Sequence, residues 1–356
     1  MNEPVSLPAS GAVGGRVSGA MTAAVLRPSS NAAREAGQHA PVSGWRQRWP
    51  RTWAWIKKVA PWLLAALVLT LVARQASSID WAAAWQALQD QPLPGLAAAL
   101  ALSLLSHALV ASYDLIGRYE TSHDVPIHRT LRIAGVCYAF NLNFGSLVGA
   151  IATKLRLYGR AGLSAETAGR IILLAVMTNW LGYFIVGGAV MALAPPTLSP
   201  DWPVSETALR WLGAAMLLTA LAHVGWRWHA GRSHWQVRGH DIPLPGGRVV
   251  LWQAVVSAVN WAVMGLIVWI LLQGKVDYAT VLGVLLLAAV AGVVAHVPAG
   301  LGVIEAVFIV SLGGGDISNA QLLAALLAYR AVYYLLPLVL ALVAYAYTEA
   351  KGKTTS

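Results

Sequence analysis

The chain has 356 residues, 57% of them hydrophobic and only 11% charged, with a mean hydropathy of +0.60 and a net charge of +10. A soluble domain carries about 25% charged residues, so a water-soluble globular protein is excluded. The basic residues sit in short connections between apolar runs, which suits anionic lipid headgroups and no nucleic acid, and the single cysteine, Cys137, rules out an internal disulfide or a multi-cysteine metal site.

Residues 1–44 are rich in Ala, Gly, Ser and Pro and lack the apolar core of a signal peptide. They read as a disordered cytoplasmic tail, within which Met21 offers a second start. Residues 45–350 read as a polytopic membrane domain and 351–356 as a short cytoplasmic tail. A hydrocarbon core about 30 Å thick needs roughly 20 apolar helical residues. Such runs fall at 59–73, 93–117, 131–151, 171–194, 207–226, 250–272, 280–297, 301–314 and 321–347.

Sidedness follows from Lys and Arg alone. Arg46, Arg48, Arg51, Lys57 and Lys58 precede the first run and put the N-terminus inside. The next connection offers only Arg74 and is outside; the one after it carries Arg118, Arg129 and Arg132 and is inside. If 131–151 then crossed the membrane, every later assignment would invert, placing Lys154, Arg156, Arg160 and Arg170 outside. The conflict vanishes if 131–158 enters from the cytoplasm and returns to it. Inside stretches then hold 18 basic residues, and the outside connections hold Arg74 and Lys275. Both termini are cytoplasmic in this arrangement.

The local sequence supplies the reversal. Asn141 and Asn143 sit beside Gly145 and Ser146 in mid-segment, and non-helical backbone at membrane depth requires cover from protein or a water-filled cavity. The rival is a kinked span with two interhelical amides. The segment 280–314 is the counterpart, broken at Pro298, Gly300 and Gly302. Proline removes a backbone donor, and glycines permit a tight turn. One hairpin enters from inside and the other from outside, each followed by a long span. The expected fold is therefore all-α and integral to the membrane: six full spans plus two broken hairpins, about eight membrane segments, arranged as an inverted repeat of the kind that places transporter sites where broken helices meet. The symmetry is topological, with no residue-by-residue repeat.

Ionisable groups inside spans are costly and are functional candidates. Glu305 follows the second break and Arg330 lies in the last span. Each can neutralise the other, as a structural staple or as a gate. Lys154, Arg156 and Arg160 recur at helical spacing after the first hairpin. They read either as positive-inside anchors or, with Asn141 and Asn143, as a site for a headgroup phosphate, which arginine binds bidentately. Asp114 and Arg118 are one turn apart, so a local pair is expected. Asn179–Trp180 and Asn260–Trp261 place amides in two spans, where interhelical hydrogen bonds account for them.

Enzyme signatures are absent: the sequence holds no HExxH, Walker A or GxSxG motif. His107 and His296 have no partner at ligand spacing, so no metal, cofactor or catalytic residue is expected.

Several motifs carry a resemblance. The stretch around Tyr158 and Arg160, Thr178-Asn179-Trp180-Leu-Gly182-Tyr183, Asn260-Trp261, Pro298-Ala-Gly300-Leu-Gly302-Val-Ile-Glu305 and Tyr329-Arg330 closely resemble the YbhN-type inner-membrane proteins. These are related to the transmembrane region of lysylphosphatidylglycerol synthases, the MprF flippase domain. The resemblance spans about residues 50–350 and implies a bacterial inner-membrane domain that moves, or helps move, a phospholipid between leaflets. The synthases carry a large soluble C-terminal domain and this sequence stops after its last span, so aminoacyl transfer is not carried over. The expectation is a lipid translocase-like protein for an anionic phospholipid or lipid-linked substrate. The alternatives are a non-catalytic membrane partner of a lipid-synthesis enzyme and an intramembrane enzyme using Glu305.

Overall fold

A computed structural model describes residues 81–196, 205–230, 233–237, 240–295, 297–314 and 317–353. The expected tail 1–44, the expected span 59–73, His296 and the last three residues lie outside the described residues. The helices are α1 (Trp81–Gln89), α2 (Leu93–Thr121), α3 (Ile127–Phe144), α4 (Thr153–Arg160), α5 (Ala165–Leu193), α6 (Glu206–Ala230), α7 (Gly247–Leu271), α8 (Tyr278–Ala295), α9 (Val303–Leu312), α10 (Asn319–Arg330) and α11 (Leu336–Lys353). A π-helical segment, Ser146–Ala152, joins α3 to α4, and a second, Ala331–Leu335, joins α10 to α11 into one long span. Long apolar runs become helices because lipid offers no partner for a bare backbone amide. Their ends carry local signals: Ser164 Oγ accepts from Thr167 N at the start of α5, and Ser318 with Gln321 forms a capping box on α10.

Among the described residues six helices are long and apolar enough to cross a membrane: Leu93–Thr121, Ala165–Leu193, Glu206–Ala230, Gly247–Leu271, Tyr278–Ala295 and Asn319–Ala346. Five match expected spans. The sixth, Tyr278–Ala295, is the first arm of the second broken hairpin. The class is thus the all-α membrane protein expected, with one addition. A two-stranded antiparallel hairpin, Ser233–Val237 with His240–Leu244, occupies the connection between α6 and α7. Its base is held by Arg227, 1% exposed, whose Nε and NH2 donate to Pro245 O at 2.9 and 2.6 Å. Arg227 therefore does more than anchor a loop to headgroups.

Side-chain contacts fix the direction of each helix. Gly95 lies against Ile270, and Ser106 Oγ donates to Asn260 Oδ1 at 2.6 Å, so α2 and α7 are antiparallel. Gln253 donates to Thr178 and Ser257 lies on Gly182, so α5 and α7 are parallel. Ser103 and Ser106 of α2 meet Val332 and Tyr333, so the last span runs with α2. The segment between α2 and α5 thus opens toward one membrane face and the segment between α7 and α10 toward the other.

Both segments are hairpins. In the first, Arg129 NH2 donates to Arg160 O at 3.1 Å, so the entering arm starts beside the end of the returning arm. The chain turns at Gly145, whose φ is +82°. The returning strand passes so close that a Cβ on Gly149 would sit 2.2 Å from Phe140 O, a backbone atom that cannot swing aside. In the second hairpin Ala299, Gly300 and Gly302 take φ of +58°, +56° and +77°. The arms α3 and α8, 18 residues each, are about 27 Å long at 1.5 Å per residue, close to the core thickness of about 30 Å. The hairpins reach deep enough for their breaks to meet.

The main core lies where α7, α8, α10 and the second π segment pack, around Val268, Leu286, Phe308, Leu322 and Tyr333, all fully buried. A smaller cluster around Cys137, Tyr158 and Ile171 joins the first hairpin to α5 and α11.

Candidate functional site

The two breaks converge on the last span within one helical turn. Asn143 Nδ2 donates to Ala139 O at 2.8 Å and to Tyr334 O at 3.2 Å, tying the first break to the π segment. Arg330 ties the second. Its NH1 donates to Ala299 O and its NH2 to Gly300 O, both at 3.0 Å, and its Nε and NH2 engage the two carboxylate oxygens of Glu305, the NH2–Oε2 bond at 3.0 Å. The expected Glu305–Arg330 pair forms, as a bidentate bridge. Both side chains are about one-tenth exposed, at 12% and 11%. The guanidinium also caps the carbonyls left bare by the Pro298–Gly300 turn, where helical hydrogen bonding is interrupted.

The π segment is what makes the carbonyls of the last span available. A widened turn departs from i→i+4 pairing, and here Val332 O accepts from Ser103 Oγ at 2.8 Å while Tyr334 O accepts from Asn143. From Arg330 a polar column continues inward. The Arg330 Cζ lies 5.4 Å from the Tyr334 ring centre, and Tyr334 packs on Tyr333 at 5.7 Å. Tyr333 OH is within 2.8 Å of both Ser106 Oγ and Tyr138 OH, and Ser106 reaches Asn260. Ser106, Asn260 and Tyr333 each lie about 20 Å along their spans, so the column reaches mid-depth. His107 packs against Tyr138 and Tyr333 at 5.0 Å. Its Nδ1 donates to Ser103 O, and its Nε2 is buried without a partner among the described residues.

A second buried ion pair lies at the other hairpin. Asp114 accepts from Lys154 Nζ at 2.5 Å and from Tyr158 OH at 2.8 Å. Asp114 and Tyr158 are fully buried and Lys154 is 9% exposed. Two expectations are corrected here. Asp114 does not pair with Arg118, whose Nε instead donates to Val125 O at 2.8 Å and holds the α2–α3 connection. Lys154 does not stand with Arg156 and Arg160 as an open headgroup site. At helical spacing one face of a short helix turns inward, and burial of Lys154 is tolerable because a carboxylate meets it. Arg156 and Arg160 are exposed, with Arg156 Cζ 5.9 Å from the Tyr345 ring centre. Asn141 is half-buried near the break.

In each half of the molecule, then, the returning arm of a hairpin is locked to a long span by a buried ion pair. Of the two Asn–Trp motifs, the Asn260 amide makes the expected interhelical bond, accepting from Ser106, whereas at the other motif it is the backbone carbonyl of Asn179 that accepts, from Trp261 Nε1 at 3.2 Å. Sequence reasoning missed Ser103, Ser106, Tyr138 and Tyr333. Ser103 and Ser106, three apart in an otherwise apolar run, are a legible signal, because they share one helix face. Among the described residues no His, Cys, Asp and Glu cluster could hold a metal.

The family described as the lysylphosphatidylglycerol synthase TM region matches residues 58–341. The chain is 38% identical over 301 residues to "Inner membrane protein YbhN" of Escherichia coli strain K12, covering 85% of this chain and 95% of that protein. It is 30% identical over 302 residues to an uncharacterized protein of Synechocystis, covering 80% and 90%. A 92-residue stretch is 29% identical to the phosphatidylglycerol lysyltransferase of Staphylococcus xylosus, 25% of this chain and 11% of that protein.

Proposed function

The chain belongs to the family of the lysylphosphatidylglycerol synthase transmembrane region, and from that premise we propose that it carries an anionic phospholipid or lipid-linked substrate between the leaflets. It is a multi-pass protein of the bacterial inner membrane type. The observation that carries the reading is the convergence of two oppositely opening hairpins on one π-helical turn, at the end of a polar column that reaches mid-depth. Broken helices entering from opposite sides are the usual frame of an alternating-access site.

In this mechanism the face rich in Lys and Arg is cytoplasmic, and both termini lie there. Arg156 and Arg160 gather the headgroup, with Asn141 and Asn143 at the break beyond them. The bidentate Glu305–Arg330 pair holds the second hairpin closed over the column, and its release opens the path toward the outer face. The substrate partner is the phospholipid itself, and the sequence supplies no nucleotide site. Glu305 as an intramembrane acid is disfavoured, because both its oxygens already accept from Arg330. The partial match to a phosphatidylglycerol lysyltransferase favours one second reading, a non-catalytic membrane partner of a lipid-synthesis enzyme.

Reconstitution separates them. Purified protein in liposomes with headgroup-labelled phospholipids is expected to expose inner-leaflet label to an impermeant quencher, and Arg156→Gln with Arg160→Gln is expected to slow that exposure. Protein-free rates across a panel of anionic lipids would refute the translocase reading.

A further inference from the structure

At the membrane face toward which the second hairpin opens, the end of α1, the turn that follows it, the end of α7 and the start of α10 border a half-open cavity of about 190 Å³. Its floor is apolar, from Ala87, Leu271, Leu272 and Ile317, and its polar wall bears Asp90, Gln91, Gln273, Lys275 and Gln321. The cavity is open on one side, and its volume suits a small polar group such as a headgroup.

The chemistry of the wall is two-signed. Lys275 is a cation at the face poor in basic residues, where a membrane protein avoids them. The other basic residue described at this face, Arg210, is engaged by Glu206 at 2.8 Å and by Ala192 O. Neither Lys275 nor Asp90 forms an ion pair among the described residues, although both line this one cavity. The amides divide the same way. Gln321 Oε1 accepts from Ser318 N in the capping box, leaving its NH2 as a donor. Gln91 NH2 donates to Leu271 O, leaving its oxygen as an acceptor. The wall therefore offers a cation with a donor, and an anion with an acceptor.

We infer that this cavity binds a phosphodiester that also bears a primary ammonium group, with Lys275 and Gln321 on the phosphate and Asp90 and Gln91 on the ammonium. Neither charge of such a zwitterion is left unpaired, whereas a singly charged headgroup would leave Asp90 or Lys275 without a counter-charge. The group comes either from a lipid headgroup or from a free phosphodiester in the surrounding solution. The site stands apart from the polar column and does not require that the protein move lipid.

Calorimetric titration of the full-length protein in detergent, using glycerophosphoethanolamine as probe, tests it. Saturable binding is expected. Asp90→Asn and Lys275→Gln, both at exposed positions, are each expected to weaken it about tenfold, as is replacing the probe with glycerophosphoglycerol, the ratio to which 1.4 kcal/mol corresponds. Absence of saturable binding, equal binding of glycerophosphoglycerol, or binding indifferent to both substitutions would overturn the assignment. Repeating the titration in nanodiscs identifies the source: suppression by phosphatidylethanolamine but not by phosphatidylglycerol discs marks the lipid headgroup, and undiminished binding in both marks the free compound. Leaflet exchange is scored separately, so that binding without exchange refutes the translocase reading alone, and exchange without binding refutes this site alone.

Discussion

Removing either member of the Glu305–Arg330 pair should be costly, but by different amounts. Glu305→Gln deletes the countercharge and one strong acceptor, leaving a guanidinium about nine-tenths buried with neutral partners alone, the carbonyls of Ala299 and Gly300 among them. Breaking a buried pair from one side costs about 3–5 kcal/mol. Arg330→Gln strands the carboxylate and also removes both bonds to the turn, and hydrogen bonds to a charged group contribute about 1.5–3 kcal/mol each. It should therefore be the worse of the two by roughly 2 kcal/mol or more. The double mutant leaves no lone charge, so it should lie close to Arg330→Gln alone, with a coupling energy equal to the Glu305→Gln cost, about 3–5 kcal/mol. Equilibrium unfolding of the four proteins in mixed micelles, followed by tryptophan fluorescence, supplies the cycle. Additivity within about 0.5 kcal/mol, or a Glu305→Gln defect larger than that of Arg330→Gln, would refute the carbonyl-clamp reasoning.

The inner pair and the first hairpin give further tests. Lys154→Gln should destabilise by about 3–5 kcal/mol because it leaves buried Asp114 with only Tyr158, while lipid affinity of the folded protein stays unchanged; a lipid-binding defect at full stability would return Lys154 to the headgroup site. Arg156→Gln with Arg160→Gln should do the reverse, losing roughly 2 kcal/mol of anionic-lipid affinity at about 1 kcal/mol per basic residue, read by lipid retention in native mass spectrometry. Gly149→Ala should lower thermal stability by about 1–3 kcal/mol through overpacking against the Phe140 carbonyl, and a variant as stable as its parent would mean the returning strand does not approach there. In a Cys137→Ala background, Ser205→Cys should react with an impermeant thiol reagent on intact cells and Ser164→Cys should not; labelling at Ser164 would mean that 131–151 crosses the membrane.

Much of this architecture is legible in one dimension. Apolar runs of membrane length, interrupted by Asn141–Ser146 and by Pro298–Gly302, are local properties, and lipid leaves helices as the only outlet for such runs. The distribution of Lys and Arg points to hairpins at 131–158 and 280–314, and the chain does reverse within 127–160 and 278–312. Glu305 and Arg330 announce themselves because two ionisable groups in lipid have few partners to choose from. Arg210 escaped that bookkeeping by lying inside the run 207–226, although it sits one turn into α6 at the face counted as poor in cations.

Partner choice across the bundle was not local. Asp114 had Arg118 one turn away and Lys154 forty residues away; the tertiary fold brought Lys154 against it and engaged Arg118 on the Val125 carbonyl. Nor does a sequence mark where a helix slips into π pairing. The segment Ala331–Leu335 is apolar and aromatic like its neighbours, and its widened turn is matched by donors, Ser103 and Asn143, from two other helices. Sequence alone determined which segments enter the membrane and where they break, because that depends on each segment's transfer into lipid. Only the packed structure decided that both breaks meet at Arg330–Tyr334, because that depends on which buried donors and charges find each other once water is gone.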